Sequence, residues 1–221
     1  MRKILQIVVI LVTVATMVPI ATADTVQNII QNGTFDTTAT FNSKGFATLG
    51  DGSTALPGWT IGGDSIDVVS GSGSLWQASP GGGNSIDLSG NNLGLSSQIL
   101  NTAPVGSLWT ISFYLAGNYA SSIDKTFLVV FGSQAWTYVV PGGNTPQNMN
   151  WQLVTISDIL ITTAPTTLTF ISLTGGFYGP VIANISVSDP PTPTSVPEPA
   201  AIVLLGTGLV GLAGVRKVWL R

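Results

Sequence analysis

Hydrophobic and polar positions alternate with a period of two through most of the middle of the chain, and this pattern predicts strands. In Leu108–Ala116, Trp109, Ile111, Phe113 and Leu115 fall on one face and Thr110, Ser112 and Tyr114 on the other, the period of a half-buried strand. Thr126–Phe131, Gln134–Val140, Gln152–Ile156, Thr166–Leu173 and Ile182–Val187 are rich in β-branched and aromatic residues and are set apart by Gly, Pro, Asn or Asp clusters. Weaker runs stand upstream at Gly58–Ile61, Ser65–Ser70, Ser85–Leu88 and Leu95–Leu100. Gly132-Ser133 between two of the stronger runs predicts a tight hairpin turn. No long amphipathic helical period intervenes. About ten short strands without alternating helices predict an all-β fold, an antiparallel sandwich of the jelly-roll kind.

Both ends break this pattern. Arg2 and Lys3 precede an apolar stretch, Ile4–Ile20, and Ala21-Thr22-Ala23 supplies the small residues of a cleavage site, so residues 1–23 are expected to be a signal peptide removed before Asp24. The stretch is long for a signal peptide, and an uncleaved membrane helix is the alternative. The sandwich domain is then expected over 24–188. Asp189-Pro190-Pro191-Thr192-Pro193-Thr194-Ser195 cannot pair in a sheet and predicts an extended linker over 189–195. Residues 196–221 hold Pro197, Glu198 and Pro199, an apolar run over about 200–215, and then Arg216, Lys217 and Arg221. As a helix, that run spans about 24 Å against a hydrocarbon core of about 30 Å, and Val218, Trp219 and Leu220 can extend it. The basic residues beyond it are expected to stay cytoplasmic, leaving the rest of the chain outside the inner membrane.

This tail resembles the PEP-CTERM sorting signal of Gram-negative bacteria: Pro197-Glu198-Pro199, one transmembrane helix and the cluster that includes Arg216 and Lys217. The resemblance implies an exosortase-type processing enzyme as partner. It also implies a precursor anchored in the inner membrane by its C-terminal helix and a final place at the cell surface or outside the cell. An ordinary C-terminal anchor is the alternative.

Charge narrows the choice of partners. From Asp24 to Asp189 there are nine aspartates, two lysines (Lys44 and Lys125), no arginine and no glutamate. Phosphate backbones are bound by Lys and Arg that displace counterions, so nucleic acid is excluded as an expected partner. Cysteine is absent, so an exported domain must be held by its core or by a bound ion.

A second resemblance covers about Asn28 to Val187. Asn32-Gly33-Thr34-Phe35-Asp36, Pro57-Gly58-Trp59 and Ser85-Ile86-Asp87-Leu88-Ser89-Gly90 come first. Ser112-Phe113-Tyr114-Leu115-Ala116-Gly117-Asn118, Trp151, Leu168-Thr169-Phe170, Tyr178-Gly179-Pro180 and Asn184-Ile185-Ser186-Val187 follow. Their order resembles the choice-of-anchor C family of secreted bacterial proteins. That family looks like the galactose-binding jelly rolls of many carbohydrate-binding modules, and its members carry varied C-terminal anchors. Related modules hold a structural calcium with an acid just after the Asn-Gly-x-Phe motif and an aspartate in the last strand. Asp36 matches the first position, whereas the second is Ala183. Calcium takes six to eight oxygens, so a missing carboxylate weakens any such site. Asp36 is equally well read as a turn residue bonding nearby amides.

No catalytic residues are expected. Histidine and cysteine are both absent, which removes the Ser-His-Asp triad, the Cys-His pair and ordinary zinc sites. Glycoside hydrolysis needs only two carboxylates, and Asp64 with Asp67, or Asp87 with Asp124, are the pairs to consider. The first pair points to opposite faces of a strand, and most of the aspartates read as solvated turn groups. Gly81-Gly82-Gly83 lacks the Lys-Ser or Lys-Thr and the helix of a phosphate cradle and reads as a flexible loop. Binding is what remains. Aromatic rings with amides and acids suit neutral glycans, and the loop candidates are Trp76, Asn118, Tyr119, Phe177 and Tyr178. Core packing competes for Trp76 and Tyr178 and is expected for Trp59, Trp109, Phe113, Trp151 and Phe170. The expected function is a noncatalytic envelope protein associated with exopolysaccharide. The alternative is a structural or adhesive matrix protein that acts through protein contacts without a sugar site.

Overall fold

The computed structural model describes residues 27–189. The signal peptide assigned to 1–23, the linker beyond Asp189 and the sorting segment at 196–221 with its apolar run at 200–215 lie outside the described residues. Among the described residues no helix is long and apolar enough to cross a membrane.

Eleven strands follow one another: β1 (Phe46–Gly50), β2 (Thr60–Gly63), β3 (Ser65–Val69), β4 (Ser85–Asp87), β5 (Gly94–Leu100), β6 (Leu108–Gly117), β7 (Lys125–Phe131), β8 (Gln134–Val140), β9 (Gln152–Leu160), β10 (Thr166–Ser172) and β11 (Pro180–Ser188). They form two sheets in which the paired strands run antiparallel. The larger has the order β1-β3-β4-β11-β6-β9 and the smaller β2-β5-β10-β7-β8. This is the expected sandwich, with one strand more than the pattern predicts. β1 escaped because only Ala47 and Leu49 turn to the core from a five-residue run. β7 and β8 are joined through Gly132-Ser133, with Phe131 opposite Gln134, as the hairpin required.

The alternation places the core as anticipated. Trp109, Ile111, Phe113 and Leu115 of β6 meet Phe127, Val129 and Phe131 of β7 and Leu168 and Phe170 of β10 between the sheets. Phe113 has three ring neighbours: Phe170 at 5.3 Å, Phe127 at 6.0 Å and Tyr138 at 6.2 Å. β5 inverts the usual arrangement, with Ser96 and Gln98 buried and Ile99 exposed. Gln98 explains part of this. Its Oε1 accepts from the Gln31 N–H at 2.8 Å and its Nε2 donates to the Gln31 carbonyl at 2.9 Å, so it clamps the N-terminal segment in place of a strand.

A second, smaller core lies on the outer face of the larger sheet. Val69, Ala116 and Val181 are covered there by Trp76 and Met149, with Phe46, Leu75, Tyr119 and Trp151 packed around them. Trp151 is thus half-buried in this satellite cluster, its indole N–H donating to the Gln77 carbonyl at 3.2 Å, and does not belong to the main core as expected. Loops that fold back over a sheet face create a bounded surface, and this one holds the cleft.

Candidate functional site

The floor of the cleft comes from edge strand β1 and its neighbour β3. Along β3, Ile66 and Val68 point to the core, which turns Asp67 and Val69 outward beside Phe46 and Thr48 of β1. The walls are loops: Leu75 and Trp76 after β3, Gly90 and Asn91 after β4, Asn118 to Ala120 after β6, and Phe177 and Tyr178 before β11. Lys44 completes the rim, and the enclosed volume is about 310 Å³. All five glycan candidates from the sequence therefore line one cleft, although they are scattered over some hundred positions of the chain.

They do not play equal parts. Phe177 and Tyr178 are 61% and 46% exposed, with ring centres 6.4 Å apart, and offer open aromatic faces. Tyr119 is half-buried and meets Trp76 edge-on at 6.3 Å. Trp76 is buried, and its indole N–H is used by Ser85 Oγ at 3.1 Å, so packing claims most of it. Asn118 is also buried. It acts through its neighbours, not through an exposed amide.

Those neighbours converge on Asp87, which sequence reasoning placed among the solvated acids. Asp87 is fully buried beneath the cleft. Its Oδ1 accepts from the backbone N–H groups of Ser89 at 2.8 Å and Gly179 at 3.0 Å, and its Oδ2 from Asn118 Nδ2 at 2.6 Å. The N–H of Asn118 donates directly to the Gly179 carbonyl at 3.1 Å. One carboxyl group thus ties the loop carrying Tyr119 to the loop carrying Phe177 and Tyr178. Gly179 is required at this approach, since a Cβ there would come within 2.6 Å of Asp87 Oδ1. Burial pushes the Asp87 carboxyl up to about 7 against the opposing effect of the Asn118 hydrogen bond, and nearby Asp67 pushes in the same direction as burial.

Asp67 is the cross-strand partner of Asp87. Burial raises its pKa, while a hydrogen bond from Thr48 Oγ1 to its Oδ1 works the other way. The alternation of Ser65–Val69 carried the signal for an outward aspartate, but only the β3–β4 register brings it beside Asp87. Asp124, the partner considered for Asp87, is exposed and accepts from the Gly142 N–H at 3.2 Å. Lys125 is the other unexpected burial. Its Nζ donates to Ser121 Oγ at 2.6 Å, and desolvation lowers its pKa in spite of Asp87 and Asp124.

Asp36 stands apart from the cleft. It is exposed, its N–H donates to Asn32 Oδ1 at 2.6 Å, and Asn32 Nδ2 returns a bond to its carbonyl at 2.8 Å. Thr34 Oγ1 reaches its carboxylate at 3.5 Å. Ala183 is buried within β11, and among the described residues no group of three or more His, Cys, Asp or Glu side chains is gathered in a way that could hold a metal. The side chains at Asp36 do not by themselves compose the calcium site that the resemblance implies.

Two family models match the chain. One, described as Protein of unknown function (DUF642), covers residues 28–188, and the motifs quoted above fall within it. The other, the PEP-CTERM protein-sorting motif, covers residues 195–217. Halomucin of Haloquadratum walsbyi (strain DSM 16790 / HBSQ001) is 31% identical over 201 residues, which is 84% of this chain, and the chain spans 2% of the length of that curated relative. Among solved structures, TmCBM61 in complex with beta-1,4-galactotriose is similar at 16% identity, 64% of this chain, 92% of that chain and a TM-score of 0.44. The CBM22-1 xylan-binding domain of Paenibacillus barcinonensis Xyn10C gives 14%, 65%, 92% and 0.44. A family 35 carbohydrate binding module from Clostridium thermocellum gives 12%, 64%, 97% and 0.40.

Proposed function

The chain belongs to the DUF642 family and carries a PEP-CTERM sorting signal, which marks it as exported; on that premise we propose that it is a noncatalytic, glycan-binding protein of the cell envelope or its exopolysaccharide. The observation that carries this is the cleft. Phe177 and Tyr178 present exposed rings beside Asp67 and Asn91, the combination of apolar faces and hydrogen-bonding groups that a sugar ring requires. A noncatalytic role is supported by Asp87, whose oxygens are both engaged by buried donors and are not presented to a ligand. Processing by an exosortase-type enzyme and passage through an inner-membrane-anchored precursor belong to the same proposal.

Affinity electrophoresis of the purified full-length protein through gels containing secreted polysaccharide tests the binding. Tyr178→Ala and Phe177→Ala should each weaken retention about five- to tenfold, the scale of one aromatic contact, without moving the melting temperature. Unchanged retention in both variants would place binding elsewhere on the molecule.

One observation favours the second role, through protein contacts. Edge strand β9 exposes Leu153 and Leu160, and Leu160 lies opposite the exposed Leu108 of β6. If this edge acts, Leu153→Lys together with Leu160→Lys should abolish concentration-dependent self-association in sedimentation velocity and leave glycan retention intact.

A further inference from the structure

We propose that Asp67 sets the chemistry of the ligand: the cleft takes neutral, hydroxyl-rich glycans and excludes those carrying uronate, sulfate or phosphate groups. The inference rests on the glycan reading of the cleft and deepens it. Asp67 lines the floor, and its Oδ1 is engaged by Thr48 Oγ1, while Oδ2 receives no hydrogen bond among the described residues. That oxygen is an acceptor without a donor, set among aromatic walls. A sugar hydroxyl supplies the donor, and a carboxylate accepting from a hydroxyl makes the stronger, charge-assisted kind of hydrogen bond. An anionic sugar supplies no such match. It would bring its charge against the Asp67 carboxylate on the cleft floor. The one ammonium on the rim, Lys44, is exposed to water, and the other lysine among the described residues, Lys125, is buried on the smaller sheet. With nine aspartates to two lysines between Asp24 and Asp189, the surrounding field also opposes anions.

The experiment is affinity electrophoresis of the full-length protein at low salt through neutral gels (β-glucan, galactan, galactomannan) and acidic gels (alginate, polygalacturonate, dextran sulfate). The unmodified protein should be retarded by at least one neutral polymer and by none of the acidic ones. Asp67→Asn keeps the shape and removes the charge; it should weaken neutral retention about tenfold, the value of one hydrogen bond to a charged group, with a melting temperature equal or higher. Thr48→Val is the second variant and leaves the carboxylate in place but unanchored. It should weaken neutral retention by a smaller factor, which keeps the test decisive if Asp67→Asn folds poorly. Stronger retention on an acidic polymer than on any neutral one overturns the inference. So does neutral binding that Tyr178→Ala weakens while Asp67→Asn and Thr48→Val leave it unchanged, an outcome in which the cleft still binds glycans. No retention on any polymer overturns both the inference and the glycan reading.

Discussion

Asp87→Ala should lower folding stability by about 4 kcal/mol at pH 4.5 and by less than half as much at pH 8, measured by urea unfolding. Alanine strands three buried donors, the N–H groups of Ser89 and Gly179 and the Asn118 amide, each at a cost of about 1–3 kcal/mol. The pH dependence comes from the proton. Burial raises the Asp87 pKa from 3.8 to about 7, a shift worth about 4 kcal/mol. The unfolded chain releases this proton near 3.8 and the folded chain holds it until about 7. Stability of the unmodified protein therefore falls as pH rises through that window and levels off above it. Asp67, also raised by burial, adds a change of the same sign. The alanine variant has no such proton, so its deficit is greatest where the parent still keeps it. A deficit that widens from pH 4.5 to pH 8 would contradict the buried acid. Because Asp87 joins the loops bearing Tyr119 and Tyr178, the variant should also lose glycan retention while its strands remain paired.

Trp59→Ala should cost about 3–5 kcal/mol and lower the melting temperature by about 10 °C. Its ring lies 5.3 Å from Phe35 and 6.3 Å from Phe170, is 5% exposed, and donates its indole N–H to the Asn32 carbonyl at 3.0 Å. The substitution empties a site shared by the smaller sheet and the N-terminal segment. Trp151→Ala is the internal comparison. Half-buried on the outer face, it should cost about 1 kcal/mol, and equal losses at the two positions would contradict the separation of the two cores.

The strands were legible in the sequence because alternation is a local property. β6, β7 and β10 each set large apolar residues at alternate positions along most of their length, and neighbours along the chain suffice to reveal that. β1 was not, since Lys44-Gly45 precedes a run with two small or medium inward side chains. The aromatic candidates were legible as turn residues, but their meeting in one cleft depends on loops that close over the larger sheet. Asp87 shows the limit most clearly. Ser85-Ile86-Asp87 does not tell whether its aspartate meets water or a loop. Its burial follows from the register with Asp67 and from the return of Gly179, 92 residues later.

β11 begins at Pro180, two residues after Tyr178, and ends at Ser188, where Asn28 bridges to it and Asp189 accepts from the Gln27 N–H at 3.3 Å. Nine residues of extended chain cover about 30 Å. If a ligand grips the cleft while the chain is held beyond Asp189, tension runs lengthwise through this one strand. Its hydrogen bonds to β4 and β6 on either side then resist in shear, sharing the load along the strand instead of opening one after another. β11 is thus placed to act as the force-bearing cable of the domain.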